Sequence, residues 1–316
     1  MPSKIIKKVV FEKPKNRNKK MRYLLSNTIK IVALSALLFS VGFIQSSKER
    51  NNKALIFQEP VVEENLDTKE IKNIEILAKS ACAFDLVKNE FIFEKNSTEQ
   101  LPLASLTKLM TALVSKENLP ESTLVEITPE AISIEGDSGF YAGEIWNLND
   151  LINVMLISSS NDAAFAISKT FELNNKENES FVEVMNKYAK KLTLEKTHFL
   201  NPTGLDVSLE KSGAYGSCVD ITKLLKYIFE KHPDLLKDTT LESVNYKNKI
   251  FLNTNKLVAK LPVIFGSKTG FSDLAGGNLT VIVDKGLNHP IILTVLGSTF
   301  EGRFEDMEIL YNAFAR

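Results

Sequence analysis

Three short stretches hold residues whose types and spacing could carry chemistry. The first is "ASLTKLMTALV", residues 104–114. Leu106, Leu109, Met110, Leu113 and Val114 recur there at the spacing of an apolar helical stripe. Lys108 is the only charge between Ser105 and Ser115. Helix stability does not account for it. A helix N-terminus carries partial positive charge, so a cation in the first turn is mildly unfavourable. A capping box beginning at Ser105 would put Glu or Gln where Lys108 stands. Residues three apart share a helix face, so Ser105 and Lys108 can touch. A lysine taken out of water loses affinity for its proton and can become a base, and a serine hydroxyl beside such a base is an activated nucleophile. The competing reading is a capping serine and a snorkelling lysine. Ser-x-x-Lys is weak alone, since Ser208-Leu209-Glu210-Lys211 also matches it, in a polar stretch with no apolar helix behind it.

The second stretch is "SSSNDAA". Ser159 and Asn161 place a hydroxyl and an amide in the break between two apolar segments. Ser159 there could relay a proton to a leaving amine, and Asn161 could hold Lys108 and a substrate amide carbonyl. The alternative is that Asn161 simply caps the helix from Asp162. Ser243-Val244-Asn245 has the same form. The third stretch is "GSKTGFSDLAGGNLTVIV". Lys268-Thr269-Gly270 follows the apolar "VIFG" and occurs once. A lysine and a hydroxyl on a strand beside a cleft can hold a carboxylate, and their positive potential favours a neutral Lys108. Flanking glycines let a substrate backbone approach closely. The alternative is a polar turn at a strand end.

"LVKNEFIF" reads as a hairpin about Lys88-Asn89. "LVEITPEAI" gives a short strand and a turn at Pro129. Residues 149–157 and "DAAFAISKTFEL" give two apolar helices, while "FVEVMNKYAKKL" and "CVDITKLLKYIFEKH" give amphipathic ones, the latter stopped by Pro233. "LPVIF", "NLTVIVD" and "HPIILTVLGS" are β-rich, with a hairpin turn at "KGLN", and "FEDMEILYNAFA" is a closing helix. Strands at both ends with helices between them predict an α/β (α+β) domain. In it, N- and C-terminal strands share one antiparallel sheet covered by helices.

Charge is unevenly placed along the 316 residues. Residues 1–22 hold nine Lys or Arg and one acid, Glu12, while the remainder holds 30 basic and 38 acidic residues, a net of −8. A basic tail can bind nucleic acid, but this one stops at Arg22 immediately before an apolar run, the pattern of a membrane signal. That run, Tyr23 to Ile44, has Lys30 as its only charge. We read 1–22 as a cytoplasmic tail, 23–45 as an uncleaved transmembrane signal anchor, 46–75 as a linker and 76–316 as an exported domain. A cleaved signal peptide is the alternative. Export would permit Cys82 and Cys218 to pair, but a separation of 136 residues shows nothing of pairing, and buried free thiols are the favoured reading. His198, His232 and His289 are scattered, and neither His-Glu-x-x-His nor Cys-x-x-Cys occurs, which argues against a metal site.

Ser-x-x-Lys, Ser-x-Asn and Lys-Thr-Gly in this order, within an exported domain, resemble the penicillin-binding protein and serine β-lactamase superfamily. "LPLASLTKLMTALV", "SSSNDAAFAIS", "THFLNPTGLD", "GSKTGFSDLAGGNLT" and "LGSTFEGRFEDMEIL" narrow the resemblance to the low-molecular-mass D-alanyl-D-alanine carboxypeptidases, over roughly residues 76–316. The resemblance implies that Ser105 is the nucleophile, Lys108 its base, and Ser159 and Asn161 their partners. It implies an oxyanion hole from the N–H groups of Ser105 and Phe271. Lys268, Thr269, Gly270 and Arg303 would form the carboxylate-binding side. It implies no cofactor, peptidoglycan stem peptides as substrate, β-lactams as inhibitors, and no nucleic-acid partner. A D,D-endopeptidase using the same residues is the nearest rival. A β-lactamase is disfavoured because no Glu-x-x-Leu-Asn is present, and a non-catalytic wall-binding protein is the rival of another class. Two departures stand out: Ser160 replaces the usual glycine of Ser-Gly-Asn, and the sequence ends at Arg316 without the β-rich second domain and C-terminal anchor of many relatives, leaving the N-terminal segment as the expected tether.

Overall fold

The computed structural model describes residues 74–315. The expected basic tail, the expected span and nearly all of the expected linker lie outside them. Among the described residues no helix is long and apolar enough to cross a membrane.

Strands β1 (Ser80–Asp85) and β2 (Glu90–Lys95) form the expected hairpin, with Asn89 at φ 57° in its turn. Short β3 (Leu101–Pro102) leads to a 3-10 turn, Ala104–Leu106, and into helix α1, Thr107–Asn118. β4 (Leu124–Glu126), helix α2 (Pro129–Ile132), β5 (Ile145–Asn147) and helix α3 (Leu148–Ile157) follow. The expected turn at Pro129 is thus one turn of helix: Thr128 caps it by accepting from the Ala131 N–H, and proline suits the first helical position. Helices α4 (Asn161–Asn174) and α5 (Phe181–Lys191) come next. A reciprocal capping box starts α5: Ser180 Oγ accepts from the Glu183 N–H, and Glu183 accepts from the Ser180 N–H. β6 (His198–Phe199) and β7 (Ala214–Gly216) precede helix α6, Cys218–Lys231, which ends just before Pro233. The hairpin β8 (Ser243–Tyr246) and β9 (Lys249–Leu252) then leads to three long strands, β10 (Ile264–Ser272), β11 (Gly276–Asp284) and β12 (Pro290–Ser298). Helix α7, Gly302–Phe314, closes the domain.

The main sheet runs β10-β11-β12-β1-β2 and is antiparallel throughout, so strands from both ends share it as the pattern predicted. Both faces are covered, which is why its inner strands read as continuous apolar runs. Ala81, Ala83, Leu279, Val281, Val283, Leu293 and Val295 turn to one face and pack with Phe304, Met307, Leu310 and Phe314 of α7. Their alternates Cys82, Phe84, Ile282, Ile292 and Leu296 turn to the other and join the large core under α1, α3, α4 and α6.

The cysteines depart from expectation. Cys82 on β1 and Cys218 at the start of α6 are not free thiols but form a disulfide, Cα–Cα 6.2 Å. The helix lies across the sheet face that Cys82 points into, a proximity that a separation of 136 residues cannot disclose.

Candidate active site

The turn that carries Ser105 is held from several sides. Ala104 sits at φ 46°, the left-handed region, which costs a non-glycine residue roughly 1–2 kcal/mol. The Leu103 N–H donates to the Ala214 carbonyl at 3.0 Å. Asn278 on β11 donates to the carbonyls of Pro102 and Leu103, each at 3.0 Å. Thr107 Oγ1 donates to the Ala104 carbonyl at 2.7 Å. Two glycines make the enclosure possible. A Cβ on Gly204 (φ 81°) would lie 1.9 Å from the Ala104 oxygen, and one on Gly270 would lie 2.9 Å from the Leu103 oxygen and 3.3 Å from the Ser105 nitrogen. Ser105 therefore sits in a fixed 3-10 turn ahead of the regular helix. It makes no capping bond.

Ser105 Oγ is instead 2.8 Å from Lys108 Nζ. Lys108 is fully buried, so it does not snorkel. Nζ also donates to Asn161 Oδ1 and to the Thr203 carbonyl, both at 2.7 Å. The Asn161 amide is oriented by its own Nδ2, which donates to the Glu135 carbonyl at 2.8 Å. Burial pulls the Lys108 ammonium down to about 7, against the opposing field of Asp162. The three partners are not equivalent. The Asn161 and Thr203 oxygens can only accept, whereas the serine hydroxyl can also donate. A neutral Lys108 keeps two hydrogens for the two obligate acceptors, and its lone pair then faces Ser105 Oγ–H. The partner set thus aims the Lys108 lone pair at the Ser105 hydroxyl.

Ser159 lies in the break between α3 and α4, and Asn161 is the first residue of α4. Ser159 is held at φ 62°, and Ser160, not Asn161, caps α4 by accepting from the Ala163 N–H at 3.1 Å. The serine in the usual glycine position thus does the capping, and the Asn161 side chain is left for Lys108. Lys268, buried on β10, donates to Ser159 Oγ and to the Thr269 carbonyl, both at 2.9 Å. Burial, with repulsion from Lys108 and Arg303, holds the Lys268 ammonium well below the usual lysine range.

β10 is the edge of the main sheet, and beside it lies a cleft of about 360 Å³. Ser105, Ser159, Thr269, Gly270, Phe271 and Arg303 all line it. Arg303 Nη1 donates to the Gly270 carbonyl at 2.7 Å, and its guanidinium carbon lies 4.6 and 4.8 Å from the ring centres of Phe300 and Phe304. Burial draws Arg303 down to about 10, so it stays a cation at neutral pH. Phe271 and Phe300 meet edge to face at 5.0 Å.

The candidate site residues named from sequence thus converge on one cleft: some line it, Lys108 and Lys268 reach it through one hydrogen bond, and Asn161 through Lys108. The decoys do not: Ser208 and Lys211 form an isolated bridge, and Ser243 starts a strand. Sequence reasoning missed the Thr203 carbonyl, the Asn278 clamp and Thr254, whose Oγ1 lies 2.6 Å from that of Thr269. A backbone carbonyl leaves no side-chain signal, although the Pro-x-Gly of "NPTGLD" marks a tight turn there.

The arrangement supplies a buried base, an aimed hydroxyl and a cationic cleft, the parts of an acyl-transfer site. Comparisons with known proteins agree. The chain is 33% identical over 240 residues to D-alanyl-D-alanine carboxypeptidase DacF of Bacillus subtilis, covering 74% of this chain and 60% of that protein. It is 32% identical over 241 residues to D-alanyl-D-alanine endopeptidase of Escherichia coli, covering 70% and 72%. The crystal structure of penicillin-binding protein D2 from Listeria monocytogenes in its cefotaxime-bound form superposes with a TM-score of 0.66 at 28% identity, over 76% of this chain and 98% of that one. The chain spans 60 and 61% of the length of two of the carboxypeptidases it matches. The sequence profile of peptidase family S11, D-alanyl-D-alanine carboxypeptidase, matches residues 67–299, and the chain belongs to that family.

Proposed function

We propose that this protein is a serine-type D-Ala-D-Ala carboxypeptidase that removes the terminal D-Ala from peptidoglycan stem peptides. The observation that carries the reading is the three-partner setting of Lys108, which directs a base of pKa about 7 at Ser105. Ser105 Oγ attacks the carbonyl of the penultimate D-Ala while its proton passes to Lys108. The oxygen that becomes negative is met by the N–H groups of Ser105 and Phe271; donors preset for developing charge act most strongly in the transition state. The C–N bond then breaks. The departing amine of D-Ala takes a proton from Lys108, directly or by way of Ser159, leaving Ser105 acylated. Water hydrolyses that ester, again with Lys108 as proton acceptor. Lys268, Thr269 and Arg303 hold the terminal carboxylate. β-Lactams, which mimic acyl-D-Ala-D-Ala, would acylate the same serine; the cefotaxime-bound relative supports this.

A second reading, D,D-endopeptidase activity, is favoured by one observation: relatives 32% identical from Escherichia coli and Haemophilus influenzae carry that name. Incubation with a D-Ala-D-Ala pentapeptide and with a cross-linked dimer separates the two. Free D-Ala from the pentapeptide alone supports the carboxypeptidase, and cleavage of the dimer alone overturns it.

The basic tail and the run Tyr23–Ile44 further support a membrane-tethered enzyme with its domain outside the cytoplasm. Protease added to intact cells should release the domain and leave a small membrane stub. A soluble mature protein beginning near residue 43 would show a cleaved signal instead.

A further inference from the structure

We propose that Thr254 is a positioning residue that holds the Thr269 hydroxyl ready to donate to the substrate's terminal carboxylate; this rests on the carboxypeptidase reading above. Thr254 follows β9 in "LNTNK" and lines the cleft with Ser105, Ser159 and Thr269. Its N–H donates at 3.0 Å to the carbonyl of Ile157, the last residue of α3 and two residues before Ser159. Its Oγ1 lies 2.6 Å from Thr269 Oγ1 and 3.4 Å from the same Ile157 oxygen. One side chain therefore joins the helix end that carries Ser159 to the strand that carries Lys268, Thr269 and Gly270.

The hydroxyl pair can be wired in two directions. Each hydroxyl has one hydrogen, and two hydroxyls at this distance share one between them. In the inward direction Thr269 donates to Thr254, and Thr254 donates to Ile157. Thr269 then turns only lone pairs to the cleft, which repel an anion. In the outward direction Thr254 donates to Thr269, and the hydrogen of Thr269 is left for the cleft. A carboxylate accepts only, so its arrival selects the outward direction. Reversal gives up no more than the 3.4 Å contact to Ile157, the longest of the three that Thr254 makes. Arg303 supplies positive potential there, and the hydroxyl pair adds direction. Without the Thr254 hydroxyl, Thr269 loses the partner that fixes its side-chain rotamer. The Thr254 N–H bond to Ile157 would survive, because it belongs to the backbone.

The test is steady-state kinetics of Thr254→Val and Thr254→Ser on an acyl-D-Ala-D-Ala peptide and on its C-terminal amide, with Thr269→Val alongside. Thr254→Val should raise KM for the acid about 3- to 10-fold, the reach of one neutral hydrogen bond. It should leave kcat/KM for the amide within about twofold. Thr254→Ser should restore the acid KM. The double variant Thr254→Val/Thr269→Val should be no worse than Thr269→Val, because the effect passes through Thr269. Equal losses on acid and amide, or no rescue by serine, overturn the proposal. If Thr269→Val abolishes the acid preference and Thr254→Val does not, the positioning role fails and the carboxylate reading stands. If neither variant alters the acid preference, the carboxylate assignment of Thr269 fails as well.

Discussion

The pH dependence of acylation tests the role of Lys108 through a second residue, Asp162. Burial lowers the Lys108 pKa to about 7, and the Asp162 carboxylate opposes that fall. Asp162 is itself buried at the start of α4, beside Asn161; one oxygen accepts from the Ser138 N–H at 3.4 Å and the other has no hydrogen-bond partner. The base acts when neutral, so the acylation rate follows the neutral fraction, about a tenth at pH 6 and about nine-tenths at pH 8 for a pKa near 7. Acylation by a chromogenic cephalosporin should therefore rise about tenfold between those pH values and then level off. Asp162→Asn keeps an acceptor for Ser138 and removes the charge. Lys108 then loses a field that favours its ammonium, and the rising limb moves to lower pH. The variant should outpace the wild type below about pH 7 and match it above. Stopped-flow acylation rates across the range give both limbs. A rate flat with pH, or an Asp162→Asn limb displaced to higher pH, would refute the assignment of Lys108 as the base.

Three further outcomes are expected. Gly270→Ala puts a methyl 2.9 Å from the Leu103 oxygen and 3.3 Å from the Ser105 nitrogen, so the turn must shift by several tenths of an ångström. A misplacement of about 1 Å in reacting groups can cost about 10²-fold, so this smaller shift should lower the penicillin acylation rate about tenfold while the far-ultraviolet circular dichroism is unchanged. Arg303→Ala leaves the base intact and should weaken recognition of the acid peptide by about 1.5–3 kcal/mol, with little change for the amide, as read from the two kcat/KM values. Burial would raise the Asp85 carboxyl, but the Lys88 N–H at 2.9 Å, His289 Nε2 at 2.7 Å and the Val87 N–H at 3.0 Å outweigh it and hold the pKa below the usual value. A depressed carboxylate pKa contributes stability above the unfolded value, near 4, that is lost as pH falls through the folded one. Asp85→Asn should thus lower Tm at pH 7, with a deficit that shrinks in acid.

The sheet was legible because its strands are covered on both faces, so "NLTVIVD" and "PIILTVLG" read as unbroken apolar runs between turn residues. The Ser105–Lys108 pair was legible for the opposite reason: Lys108 violates the pattern of its helix, and such a charge needs a local explanation. What stayed hidden is contact between residues far apart in sequence. Thr203 serves through a carbonyl, which every residue has. Ala104 adopts a positive φ only because Asn278, Thr107 and the Ala214 carbonyl hold its surroundings. Cys82 and Cys218 meet because α6 lies on the sheet, which neither neighbourhood announces. From sequence Asn161 fits a capping role, and in the fold Ser160 fills it.

The proposed function requires an acyl-enzyme at Ser105. The most direct measurement is peptide mapping by mass spectrometry after exposure to benzylpenicillin, with the wild type and Ser105→Ala compared. One penicilloyl group on the peptide that contains Ser105, absent from Ser105→Ala, is the predicted result. A label on Ser208, a label that persists in Ser105→Ala, or no label at any concentration would contradict it.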